Sequence, residues 1–520
     1  MKKAILPLFF ITCLGFLSAQ PAIEWKKAYG GSLYDTFHEI KPTSDGGYIV
    51  IGQSNSNNGN ASGNNGDFDI WVLKLSNTGD IEWKKSLGGS ALEAGYFIEQ
   101  TKDGGYILTG ITDSSDGQVT GYHGNTDAWV VKLSPSGEIE WQHAYGGSLY
   151  DSGNQILKTD HDTYILLAYT QSKDGDVMVD LKGIGDIWLM ELNLTGDILW
   201  QRTYGGSDND NAMDIKTTKE GGYIMLGTTS SNDGDVLGWH GKADLWLLKL
   251  GNLGDIEWAK TYGGSNSDES GFGSSSIQIL NDGTYIIGAT TYSDDGQVAG
   301  SHGKADGWLI GVGDTGAMLW QKTLGGSGND AINSITKTID EGLALIGYTE
   351  SLDGDPTGLH GEYDWWVIKL DSLNEIQWQQ TVGGDKTEYG YTVLQTEDGG
   401  YIFSGISESK NGDMSGFSHP FYEGWIFKFA PDLVGVQDVS AASALNVLPN
   451  PASREIRFDL PDGETLLSVN IMDILGQHIL EQAIRNDQRI DISTLPNGTY
   501  VLQAKTNSGK LFYGKFQKTE

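Results

Sequence analysis

Short runs of alternating apolar and polar residues, separated by clusters of Gly, Asp, Asn and Ser, fill most of this chain. In the first unit the runs are Phe37–Thr43, Tyr48–Gln53, Asp69–Leu75 and Ile81–Ser86. A period of two bounded by turn residues predicts β-strands, designated a, b, c and d. Ser44-Asp45-Gly46-Gly47 joins a to b and Asn77-Thr78-Gly79-Asp80 joins c to d. Both are compact hairpin signals, so the unit is an antiparallel four-stranded meander.

Tryptophan exposes the repeat. Trp25, Trp83, Trp141, Trp200, Trp258, Trp320 and Trp378 recur at intervals of 58, 58, 59, 58, 62 and 58 residues. A second series, Trp71, Trp129, Trp188, Trp246, Trp308, Trp366 and Trp425, follows nearly the same spacing. A meander cannot cover both of its apolar faces alone, so its copies must stack, and four short strands per copy suit a β-propeller. The ends indicate closure. The chain opens with a lone d-type strand, Ile23–Lys27, and its last unit has a, b and c strands but no d-strand tryptophan 12 residues after Trp425. Pairing the two ends completes a seventh blade and removes exposed strand edges. The expected fold is all-β: a seven-bladed propeller over 21–433.

In such a ring the a–b and c–d turns share one face, and the d–a and b–c connections share the other. The second face carries Gly-Gly-Ser segments (Gly30-Gly31-Ser32, Gly88-Gly89-Ser90) and a b–c loop of about 15 residues. Long loops on a rigid scaffold carry binding roles, so function is expected there. The loop is clearest from Asp233 to Trp246. Asp233, Asp235 and Asp244 offer closely spaced hard oxygens of the kind calcium takes, but related loops have Gln118 and Gln297 where Asp235 stands. The other reading is structural: the first Asp makes a turn, and the Asp before tryptophan ties down loop backbone. Four loops contain His-Gly, at His123, His240, His302 and His360. Imidazole is a common zinc ligand, yet each of these comes from a different blade, which favours a repeated loop hydrogen bond. The two tryptophan series read as core between blades. Trp239 and Trp365 lie outside both and are the candidate exposed aromatics; with His240 and His360 they are the candidate ligand contacts.

Composition narrows the partners. The chain has 34 basic and 69 acidic residues, a formal net charge of −35, which repels nucleic acid and anionic headgroups. Lys2 and Lys3, an apolar run from Ala4 to Leu17 and Ser18-Ala19 form a secretory leader over 1–19. The single cysteine, Cys13, falls inside it, so the exported protein has neither disulfides nor thiol chemistry. No later segment reaches the roughly 18 apolar residues of a membrane span. No G-x-S-x-G elbow, H-E-x-x-H or phosphate loop is present.

After Phe429 the period stops, and 434–444 is a small-residue linker. The segment 445–520 then contains Pro449-Asn450-Pro451, the turn Asp473-Ile474-Leu475-Gly476, the run Leu495-Pro496-Asn497-Gly498-Thr499-Tyr500 and a last strand bearing Lys515. As a set these resemble the type A sorting domain of the type IX secretion system of Bacteroidota, with Leu448 where that family often has an aromatic. The resemblance implies an Ig-like β-sandwich handled by the type IX machinery. It also implies removal within the linker and a passenger released or joined to surface lipopolysaccharide. The propeller units resemble repeat passengers of the same bacteria.

The expectation is a secreted or surface-displayed binding or structural propeller with a glycan or protein partner. The alternative is a carbohydrate-active enzyme, a hydrolase or lyase, with acidic residues converging on the propeller channel.

Overall fold

The computed structural model describes residues 20–271, 275–416, 421–432, 445, 447–458, 460, 466–473, 478–482, 489–506 and 511–519. The leader and the linker lie outside these residues. Contacts separate Pro21–Pro431 from the C-terminal unit that begins at Asp432.

Each repeat folds as the alternation requires. Blade one is Asp35–Pro42, Tyr48–Ser54, Asp69–Leu75 and Ile81–Leu87, hydrogen-bonded in that order. Strand a starts two residues earlier than the pattern predicts, because Asp35 N–H bonds to Tyr422 O, just before the last strand of the ring. Blades two to six repeat this order, and blade five carries a split strand a, Asp268–Ser270 and Ile277–Ile279. Blade seven is built from both ends: Ile23–Tyr29 pairs antiparallel with Glu423–Phe429, with Ala28 opposite Trp425. The innermost strands pack each on the next around the whole ring, so the propeller closes.

The c-strand tryptophans Trp71, Trp129, Trp188, Trp246, Trp308 and Trp366 are each at most 1 % exposed. Both faces of each sheet are covered by neighbouring blades, which explains why strand c is buried throughout in six blades, as in Asp244–Leu250, and everywhere but Glu191 in blade three. Fully burying such side chains is worth roughly 1.5–3 kcal/mol each. At the hairpin face, buried lysines of strand c pair with turn carboxylates: Lys74 lies 2.9 Å from Asp45 and 3.0 Å from Glu82, and Lys132 and Lys428 repeat the arrangement.

The C-terminal unit is a β-sandwich. One sheet holds Val447–Leu448, Glu455–Phe458 and Arg489–Asp491; the other holds His478–Gln482, Leu466–Asp473, Gly498–Thr506 and Leu511–Lys518. Ile456, Phe458, Ile471, Leu502 and Phe516 form its core.

Candidate functional site

The loop face is built by hydrogen bonds between each b–c loop and the d–a segment preceding it. Asp233 accepts from Ser207 N–H at 2.7 Å, and Asp116, Asp174, Asp295 and Asp353 do the same for Ser90, Ser148, Ser265 and Ser327. Asn58 and Asn411 replace the aspartate in blades one and seven without loss of the bond. Asp235 accepts from Gly205 N–H and pairs with Lys182. Gln118 and Gln297 take the equivalent glycine amides. An amide serves where a carboxylate was expected because the partner is a backbone N–H.

Asp244 has a different task. Its Oδ2 receives the backbone N–H of His240 at 2.8 Å and faces the ring Nδ1 at 2.7 Å. His123 on Asp127 and His360 on Asp364 repeat both contacts, while Lys182 N–H serves Asp186. Asp233 and Asp235 therefore tie the loop to the junction before it, and Asp244 closes the loop on itself. Among the described residues no group of three or more His, Cys, Asp and Glu side chains is arranged to hold a metal ion.

The same aspartates reach the following junction. Oδ1 of Asp69, Asp127, Asp186, Asp244, Asp306 and Asp364 is buried without a hydrogen-bond partner. At the third junction it meets the strand-a carboxylate of blade four. A Cβ on Gly205 would stand 2.7 Å from both Asp186 Oδ1 and Asp210 Oδ2. Asp210 is fully buried and takes Gly206 N–H, Thr229 Oγ1 and Ser231 Oγ. Burial pushes Asp127 and Asp186 up to about 6, with their neighbours' hydrogen bonds opposing the shift.

Of the two candidate aromatics, Trp239 is 37 % exposed on its loop. Trp365 is not exposed at all, which corrects the sequence expectation. It follows Asp364 in strand c, points to the opposite sheet face from Trp366, and that face is also covered. Its Nε1 donates to Ile406 O at 3.1 Å, and its ring meets Phe427 at 5.3 Å.

A concavity lies at the loop-face mouth of the channel, at residues the repeat pattern did not single out. In six blades strand a carries a β-bulge, seen as a register shift around His38, Tyr96, Asn154, Met213, Asn333 and Tyr391. A bulge re-aims a side chain, and five of these six residues line a cavity of about 340 Å³. Tyr150, Ser152, Tyr169 and Asn211 complete it. His38 stacks on Tyr96 at 5.4 Å and 16°, with Tyr391 edge-on at 6.1 Å. Asn154 Nδ2 donates to Asn211 Oδ1 at 2.9 Å and Ala212 O at 2.7 Å.

Further along strand a, towards the hairpin face, the channel becomes charged. Glu39 pairs with Lys41 at 3.1 Å and Asp214 with Lys216 at 2.9 Å. Asp214 and Gln155 also bind the next blade's backbone, accepting from Ile277 N–H and Ile215 N–H at 2.7 Å each. Glu39 and Asp214 are thus engaged by lysines, and Asp214 also by a blade-to-blade hydrogen bond.

In the C-terminal unit the motif residues close the sandwich. Asn450 joins its first segment to the last strand, donating to Lys515 O at 3.0 Å and accepting from Gln517 N–H at 2.9 Å. Pro449 and Pro451 flank it at the surface. Tyr500, two residues after Gly498, donates to Pro496 O at 2.9 Å and stacks on Phe516 at 5.6 Å. Gly476 lies outside the described residues.

Comparison with known proteins agrees with this division. Residues 446–516 match the secretion system C-terminal sorting domain family. The regulatory protein FlaEY of Caulobacter vibrioides is 22 % identical over 238 residues, covering 42 % of this chain. The match spans 24 % of that relative's length. Among solved structures, the Neurospora crassa Pan2 WD40 domain aligns with a TM-score of 0.44 at 7 % identity, over 79 % of this chain and 96 % of its own. A member of the DUF4221 family from Bacteroides vulgatus aligns with a TM-score of 0.35 at 10 % identity, over 79 % and 98 %. At these values the structural likenesses bear on no function. No helix among the described residues is long and apolar enough to cross a membrane. The chain is a secreted or cell-surface protein, a β-propeller carrying a type IX secretion sorting domain at its C-terminus.

Proposed function

We propose that the propeller is a recognition module that takes its ligand at the channel mouth on the loop face, and that the sorting domain delivers it outside the cell. The observation that carries this reading is the 340 Å³ cavity, where residues from five blades converge. Concave sites of about 300–1,000 Å³ with aromatic walls and a few polar groups are the usual form of a small-ligand site. Trp239, His240 and His360 stand on the same face as outer contacts for a larger glycan or protein partner.

The enzymatic alternative is less well supported. The cavity lining contains no carboxylate, and the channel acids Glu39 and Asp214 are paired with lysines. The test is a binding screen of glycans and peptides on the full chain, with and without calcium, followed by product analysis of each hit. Saturable binding without turnover supports the recognition module. Released product overturns it in favour of the enzyme, and binding only with calcium restores the metal reading of Asp233, Asp235 and Asp244.

A further inference from the structure

The chemistry of the cavity lining narrows the ligand class. Burial lowers the pKa of His38 to about 4, which leaves its imidazole neutral at physiological pH. Burial also moves the Tyr96 and Tyr391 hydroxyls further from ionisation. The remaining groups are amides, a hydroxyl, a thioether and further tyrosines. In a chain of net charge −35, this is an uncharged enclave. An ion entering it would lose hydration and meet no countercharge, a cost that neutral dipoles do not offset.

Two features distinguish among neutral ligands. Blades one, two and seven supply ring surface: the His38–Tyr96 stack with Tyr391 edge-on. Blades three and four supply amides with unspent capacity. Among the described residues Asn154 Oδ1 accepts only from Ser152, at 3.1 Å, and the Asn211 amide nitrogen makes only a long contact, 3.8 Å, to the Met213 sulfur. Among the described residues the hydroxyls of Tyr96 and Tyr391 have no hydrogen-bond partner. A flat aromatic ligand would cover the rings but leave these donors and acceptors unmet, which is costly once water is displaced. A ring with an apolar face and several hydroxyls satisfies both halves.

We infer that the cavity takes an uncharged saccharide unit, seated with one ring face on Tyr96 and its hydroxyls read by Asn154, Asn211 and the open tyrosine hydroxyls. This rests on the recognition reading above. The experiment is titration calorimetry and ligand-observed NMR on the full chain and on Tyr96→Ala, Tyr96→Phe and Asn211→Ala. The probes are cellobiose, maltose and lactose, the charged sugars glucuronic acid and glucosamine, and indole as a flat neutral control.

Neutral sugars should bind with the same affinity at pH of about 6 and about 8, weaken more than about tenfold in Tyr96→Ala, and be largely retained in Tyr96→Phe. Asn211→Ala should change which sugar is preferred. Thermal melts of Tyr96→Phe confirm that the fold persists. Equal or tighter binding of the charged sugars overturns the inference, as does sugar binding indifferent to Tyr96→Ala. Indole binding alone, lost in Tyr96→Ala, overturns the saccharide class but leaves the recognition site standing. Failure of every probe overturns the saccharide class, and a fragment library that also finds nothing at the cavity overturns the recognition reading with it.

Discussion

At the blade junctions the same atoms meet repeatedly: a loop Asp or Asn on the preceding Ser-type amide, a strand-c aspartate capped by its own loop, and a glycine against two carboxylates. At the channel mouth, on the same strands, the bulged residue changes from His38 to Tyr96, Asn154 and Met213. The junction must satisfy buried backbone groups in every blade, and few side chains do so. At the mouth the obligation is lighter: Asn154 and Asn333 donate to a backbone carbonyl of the next blade, while Tyr96, Met213 and Tyr391 fill the equivalent positions with other chemistry. Regularity here marks what holds the ring, and irregularity marks where it can be specific.

The comparison can be broken from the junction side first. Trp188→Ala removes a side chain that is fully buried between blades, with an expected loss of about 3–5 kcal/mol in chemical denaturation. Gly205→Ala places a methyl 2.7 Å from two carboxylate oxygens and should cost about 1–3 kcal/mol. If either variant unfolds with an unchanged midpoint, the junctions are not what hold the ring.

The carboxylates sharpen the contrast through pH. Asp127 and Asp186 sit at about 6 in the folded chain and near 3.9 when unfolded. The folded state then binds protons more tightly. Stability is lowest with these groups ionised above about 6 and rises as pH falls from there towards about 4. Melting temperature should increase between pH of about 7 and about 5, and Asp127→Asn should flatten part of that rise while keeping the bond from His123 N–H. A melting temperature that falls over this range would contradict the upward shift that burial imposes on these carboxylates. The smallest effect is expected on the loop face, where Trp239→Ala should change stability by less than about 0.5 kcal/mol and only ligand affinity would report on it.

Particular residues show how far the chain could be read in advance. The four strands of blade one and the two compact hairpin turns that join a to b and c to d follow from alternation and turn residues. The pairing of Ile23–Tyr29 with Glu423–Phe429 follows from two unmatched partial repeats. The Pro449-Asn450-Pro451 entry was recognisable as a motif, although its bond to the last strand was not. Trp365 was misplaced because breaking a series looks like exposure, whereas a propeller strand is covered on both faces. The spacing of Asp233 and Asp235 did not reveal that both accept amides of the preceding connection, Ser207 N–H and Gly205 N–H.

The sequence by itself determined the repeat, the strand alternation, the closure of the ring from its two ends, the loop-bearing face and the exported character. These depend on local periodicity and on counting, and both are written along the chain. Only the tertiary structure decided which carboxylates are buried, which tryptophan is covered and where a ligand can sit. Those outcomes depend on ring closure, which brings His38, Tyr96, Asn154, Met213 and Tyr391 around one cavity although they lie in five different blades. They also depend on bulges, which turn those side chains away from the direction that alternation alone would assign.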